Sequence, residues 1–298
     1  MTYLPPSAGD WAPDEPMPLE AVFGRAWTLM RANWVIALPP IIVVVLCLLL
    51  VVPFMVTAWS SVFAHGGHVG GSREPVPWWA MASFAAAYTI MLVGGFSAVV
   101  MMFGMAESAW TRGSTGFSDG FAALRTRSRA LAVSGLGIAG LGFVAVILAL
   151  PTLGLSMLAF VVFTIYVLPA VIGGRRDGFA SIADSFRLVR TYFVRSAIGI
   201  ALLLAVYYAI SFAGYFAVLP MTAWVMQVAS EPSKLQTLPL PPVPLIAACG
   251  ALYLAITIVS LAYYGYYALV LVGMYRSLVG PGDAVDSNAR VAADAPGG

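Results

Sequence analysis

The chain has 298 residues, of which 61% are hydrophobic and only 9% charged, and its mean hydropathy is +0.91. A soluble globular domain carries about 25% charged residues, so a water-soluble chain of 31.5 kDa could not cover its surface with so few. Soluble, disordered, collagen-like and disulfide-scaffold classes are excluded, and an integral membrane protein remains.

The net charge of +2 gives no reason to expect nucleic acid as a partner. Lys234 is the single lysine among 15 basic residues, and Ala and Gly are abundant, a composition that suggests a GC-rich bacterial genome. Cys47 and Cys249 both lie in apolar runs and read as buried free thiols. No CxxC or Cys/His cluster suggests a metal, and no cofactor is expected.

In chain order, residues 1–18 are rich in Pro and acidic residues and predict a disordered tail. Charge-free windows then divide the chain at 32–72, 75–106, 130–174, 196–230 and 235–275. A spanning helix needs about 20 apolar residues, so the window 130–174 holds two, with Pro151-Thr152-Leu153-Gly154 as the turn between them. The predicted spans are 34–58, 79–106, 131–150, 154–173, 196–219 and 244–274, which makes six. The first starts too far from the N-terminus, and runs too long, for a cleaved signal peptide. Residues 277–298 predict a second disordered tail, leaving 19–276 as a single membrane domain.

The Arg and Lys distribution sets the orientation. One set of segments holds Arg25, Arg31, Arg112, Arg125, Arg127, Arg129, Arg175, Arg176, Arg187, Arg190, Arg195, Arg276 and Arg290; the other holds only Arg73 and Lys234. Both termini are therefore expected in the cytoplasm. Single cysteines at position 70 or 236, in a background lacking Cys47 and Cys249, should react with an impermeant thiol reagent added outside. Those at 115 or 285 should not, and the reverse pattern would sink this orientation.

Three stretches starting near 19, 116 and 178 share a layout, each leading into a helical hairpin. Val22, Phe23, Ala26, Trp27 and Met30 share one face at helical spacing. So do Phe117, Phe121 and Leu124, and Phe179, Ile182, Phe186 and Val189, with arginines on other faces or at the C-terminal end. The expected fold is thus all-α and polytopic: six transmembrane helices with three cytoplasmic-side interfacial amphipathic helices.

Val167-Leu168-Pro169-Ala170-Val171-Ile172, Arg175-Arg176 and Ala183-Asp184-Ser185-Phe186-Arg187-Leu188-Val189-Arg190 form a pattern, joined by Phe23-Gly24-Arg25-Ala26-Trp27 with Asn33-Trp34. This pattern resembles a group of uncharacterised bacterial six-helix membrane proteins. They are related to the membrane domain fused ahead of some glycerophosphoryl diester phosphodiesterases. The likeness covers roughly residues 19–276 in layout. It implies a six-helix membrane domain of unassigned role and no phosphodiesterase activity, since the catalytic barrel is a separate soluble domain.

On the fifth span Ala197, Ala201, Ala205, Ala209, Ala213 and Ala217 fall four apart, a spacing that suits close helix packing. The partner is left open between the sixth span and a second subunit. Ala247, Ala251 and Ala255, Gly135, Ala139 and Gly142, and Gly94 and Ala98 echo the pattern on other spans. Tyr207 and Tyr208, with Tyr263, Tyr264, Tyr266 and Tyr267, fall at mid-membrane depth. They read either as hydroxyls bonding neighbouring helices or as a polar-lined groove for an amphiphile. Tyr253 and the tryptophans at 34, 59, 78, 79 and 110 read as interface anchors or packing.

Glu107 stands at the inner end of the second span near Arg112 and Trp110, as a helix-end residue or a functional one. Asp119 and Asp184 sit early in their helices, where capping and dipole roles suffice. His65 and His68 lie in a Gly-rich loop and read as polar loop rather than metal ligands. The loop about 220–243 ends in Pro239, Pro241, Pro242 and Pro244 and is expected to be stiff.

Arg125, Arg127, Arg129, Arg187, Arg190 and Arg195 are candidate lipid head-group contacts, or serve only to set topology. No nucleotide loop, Gly-x-Ser-x-Gly or His-Glu-x-x-His appears, so no catalytic residue and no enzyme is expected. The leading expectation is a non-enzymatic domain of the bacterial cytoplasmic membrane that organises or assists membrane partners, as a homo-oligomer or with another membrane protein, in contact with anionic lipid. The alternative is a transporter or flippase for an apolar or amphiphilic solute.

Overall fold

A computed structural model describes residues 16–64, 78–173, 176, 178–230 and 243–293. His65 and His68, Arg73, Arg175, Lys234, the prolines at 239, 241 and 242, and most of the tail 1–18 lie outside the described residues. Among the described residues all regular structure is helical. The order is α1 (Leu19–Ala32), a 3-10 turn (Trp34–Ala37), α2 (Leu38–Ala64), α3 (Trp78–Thr89), a π-helical stretch (Ile90–Gly94) and α4 (Gly95–Arg112). Then come α5 (Phe117–Ala149), α6 (Leu155–Thr164), α7 (Val167–Ile172), α8 (Phe179–Thr191), α9 (Phe193–Ser230) and α10 (Val243–Ala293).

Six segments are long and apolar enough to cross a bilayer: Trp34–Val52, Trp78–Arg112, Phe117–Ala149, Leu155–Ile172, Phe193–Pro220 and Ala247–Val279. They match the six expected spans, as an integral membrane protein requires. The turn after α5 falls on the expected tetrapeptide. Leu153 and Gly154 take φ of 52° and 83° there, and Ser156 Oγ donates to Ala145 O at 2.7 Å across the hairpin.

Two expectations differ from the structure. The second short helix is not separate from its span: α5 runs without a break from Phe117 to Ala149, because no Pro or Gly-turn signal interrupts Arg125-Thr126-Arg127-Ser128-Arg129. And α10 keeps helical backbone to Ala293, where a disordered tail from 277 is expected.

By contacts the chain divides into two compact units. The first comprises 1–37, 100–204 and 264–298; the second comprises 38–99 and 205–263. Every described arginine belongs to the first.

In the first unit, Val100, Ala130, Leu131, Val167, Val171 and Ile182 form a buried cluster. Helix α8 docks on α5 through small polar residues. Ser181 Oγ donates to Gly178 O at 2.6 Å. The single proton of Ser134 Oγ then goes either to Ser181 Oγ, at 3.0 Å, or to Gly178 O, at 3.1 Å. Both hydroxyls are buried, so each needs a partner.

Ser185, also on α8, explains the break between α6 and α7. Pro169 has no N–H to give the Ile165 carbonyl, so the helix cannot continue regularly. Ser185 Oγ inserts into the gap, donating to Phe163 O at 2.6 Å and accepting from the Tyr166 N–H at 3.2 Å. Tyr166, fully buried, bonds Ser196 Oγ through its hydroxyl at 3.0 Å and so ties this break to the start of α9.

In the second unit, α2 packs on α3 and the π-helical stretch. Val43 lies 3.4 Å from where a Cβ of Gly94 would stand, and Cys47 Sγ donates to Ala87 O at 3.5 Å. Gly94 thus lies close against α2, and Ala98 is buried. Helices α9 and α10 approach at Gly214 and Ile256.

Candidate functional site

The polar groups of the first unit converge around the C-terminal end of α4. Three residues within about a turn and a half, Glu107, Trp110 and Arg112, each take a different partner. Glu107 pairs with Arg276 of α10 and lies against Gly173, where any Cβ would meet its carboxylate at 2.8 Å. Arg112 turns away to Asp119, at 2.6 Å. Trp110 is buried against α10: its Nε1 donates to Leu269 O at 2.8 Å, and a Cβ at Gly273 would overlap its ring. The Arg25 guanidinium from α1 stacks over the indole, 4.8 Å from the centroid. Burial first, and the Arg276 cation second, lower the pKa of Arg25 from its ordinary value.

Asn33 closes α1 and fastens it here. Its amide donates to Leu29 O and Gly113 O at 3.1 Å each, while its Oδ1 accepts from the Thr115 N–H at 3.0 Å. The buried amide thereby uses both donors and an acceptor. Asp119 caps α5 as expected, accepting from the Gly116 N–H at 3.0 Å and Thr115 Oγ1 at 3.1 Å. Asp184 does not cap α8. It pairs with Arg176 at 2.9 Å and Arg187 at 3.3 Å.

Each of these carboxylates is held by a guanidinium, an arrangement that fixes helix ends. Among the described residues no three of His, Cys, Asp and Glu come together as a metal site.

The six candidate head-group arginines separate. Arg187 is engaged by Asp184. Arg195 is half-buried and donates to Pro16 O, Met17 O and Ser277 Oγ, so its donors point into the protein. Arg125, Arg129 and Arg190 are exposed, and Arg127 is half-buried.

The tyrosines also separate. Tyr207, Tyr208 and Tyr263 belong to the second unit and Tyr264, Tyr266 and Tyr267 to the first. Tyr266 packs edge-on against Trp27, with ring centroids 5.9 Å apart, and its hydroxyl reaches Phe23 O at 3.4 Å. Tyr263 is buried, while Tyr208 is 65% exposed and packs edge-on against Tyr207.

Of the α9 alanines, Ala217 is buried and Ala197 half-buried; Ala201, Ala205, Ala209 and Ala213 are exposed. In the second unit this side of α9 carries an open cleft of about 500 Å³ lined by Tyr208, Ala209, Ser211, Phe212 and Tyr215.

Ser134 and Ser181 were not singled out in the sequence, and Asn33 and Ser185 entered only as members of a sequence pattern, with no packing role. Hydroxyls in an apolar helix carry no spacing signal of their own. The position of Ser185 four residues after Ser181 on one face of α8 is the only trace. No family model matches the chain, and no curated protein or solved structure matches it either.

Proposed function

We propose that this is a non-enzymatic integral membrane protein that associates, within the bilayer, with another membrane-embedded chain through the outward face of α9. Both termini face the cytoplasm, with α1 and α8 as amphipathic helices at that surface; the arginine distribution supports this. The resemblance to the membrane domain that accompanies glycerophosphoryl diester phosphodiesterases is in keeping with such an accessory role.

The observation that carries the reading is the α9 surface. Ala205, Ala209 and Ala213 are exposed beside Tyr208, Phe212 and Tyr215. Lipid tails gain nothing from small residues, whereas a second helix can approach them closely and gain dispersion contacts. Benzoylphenylalanine in place of Tyr208 is expected to give, on irradiation in native membranes, a discrete protein adduct. The same probe at Leu136 on α5 should not. Equal labelling at both positions would sink the reading.

A second reading rests on the same cleft, lined by Tyr208, Ala209, Ser211, Phe212 and Tyr215: a transport groove for an amphiphile. Adducts to lipid or solute alone at position 208 would favour it.

A further inference from the structure

The continuity of α5 gives two of its arginines a specific place. About 30 Å of hydrocarbon takes some 20 helical residues. Counted back from Ala149, that length ends at Arg129, and Arg125 lies about 6 Å further out. Both then stand at the depth of lipid phosphates.

Residues 121, 125, 129, 132, 136 and 143 fall within about 40° of one line on a helix advancing 100° per residue. On α5 these are Phe121, Arg125, Arg129, Ala132, Leu136 and Phe143, and all six are exposed. Leu136 and Phe143 are 75% and 68% exposed, which marks the line as the side of the helix facing lipid tails. Phe121 at the other end is 59% exposed.

The two arginines are thus the charged interruption of a lipid-facing stripe. The sequence has no Asp or Glu between Asp119 and Asp177, and Asp119 is engaged by Arg112. Arg127, two residues from each, lies off this line and is half-buried. One turn apart, two guanidiniums can grip one phosphate from both sides, each through paired N–H donors.

We propose that Arg125 and Arg129 form a clamp for the phosphate of an anionic phospholipid whose tails lie along Ala132, Leu136 and Phe143. This goes beyond the assembly reading and uses a different helix.

The test is native mass spectrometry of the full chain in nanodiscs of equal phosphatidylglycerol and phosphatidylcholine. Two basic residues near an anionic surface are expected to give the wild type at least a tenfold preference for retained phosphatidylglycerol. The pair Arg125→Gln and Arg129→Gln should bring that preference close to one. Arg187→Gln, whose guanidinium is spent on Asp184, should leave it unchanged.

The pair Arg125→Lys and Arg129→Lys keeps the charge that sets topology but loses the paired donors. It should fall several-fold below wild type, and it carries the test if the Gln pair inserts incorrectly, as read by labelling a cysteine at position 115. An unchanged preference in the Gln pair inserted correctly, an equal loss in Arg187→Gln, or full retention in the Lys pair would overturn the clamp. None of these results depends on whether α9 has a partner.

Discussion

Gly273→Ala should destabilise the protein by about 1–3 kcal/mol, the usual cost of overpacking a well-filled site. On propensity alone the opposite is expected, since Ala favours a helix over Gly by about 1 kcal/mol. Contact decides the sign. A Cβ at 273 would overlap Trp110 Cζ2 and lie 2.9 Å from Cε2 and Cη2. A flexible side chain could swing aside, but the indole is held on two sides. Its Nε1–H is spent on the Leu269 carbonyl in a buried hydrogen bond, and the Arg25 guanidinium covers its face. Moving the ring would forfeit both.

The prediction has an internal control. Trp110→Phe removes the ring atoms that the new methyl would strike, at the cost of the hydrogen bond. Once Trp110 is Phe, Gly273→Ala should be neutral or slightly stabilising, so the double-mutant cycle should show a favourable coupling. Melting in mild detergent reads all four proteins. A Gly273→Ala protein melting at the wild-type temperature would mean that α4 and α10 do not meet as described.

The six spans were legible in the sequence because hydropathy over about 20 residues is a summed signal, insensitive to any one side chain. Contacts between residues distant in sequence are not summed over a window, and they were not legible. Glu107 and Arg276 are 169 positions apart, and nothing local to either residue names the other. The nearer cation in sequence, Arg112, turns instead to Asp119. The π-helical stretch at Ile90–Gly94 likewise leaves no mark in a run of apolar residues.

The alanine series was legible as a spacing, but the face it occupies was not. A step of four residues advances 400° on a helix of 3.6 residues per turn, so each step drifts about 40°. Over the five steps from Ala197 to Ala217 the series winds about 200° around α9. It therefore cannot form one flat ridge along a straight helix. This drift accounts for half-buried Ala197 at one end, buried Ala217 at the other, and four exposed alanines between them. A line through Leu203, Ile210, Gly214 and Ala217 stays within about 40° of one direction. It is the side on which Leu203 and Ala217 are buried and Gly214 meets Ile256.

That geometry separates folding from assembly on one helix. Leu203 is 1% exposed, so Leu203→Ala should leave a cavity. Inside a bilayer the transfer share of the usual Leu→Ala penalty is small, because lipid tails are as apolar as the protein interior. The loss of dispersion contacts remains, and about 2 kcal/mol is expected. Ala205→Leu and Ala209→Leu add side chains to an exposed face and should leave the melting of the isolated chain within about 0.5 kcal/mol of wild type. Their effect should appear only in association. The added bulk would hold a second helix away from the backbone, and the photo-adduct formed from position 208 should fall severalfold. Leu203→Ala should lower stability and leave that adduct in place on the protein that remains folded. If Ala209→Leu melts low and Leu203→Ala does not, the inward side of α9 has been assigned the wrong way round. If Ala209→Leu changes neither melting nor adduct, the exposed alanines face lipid alone.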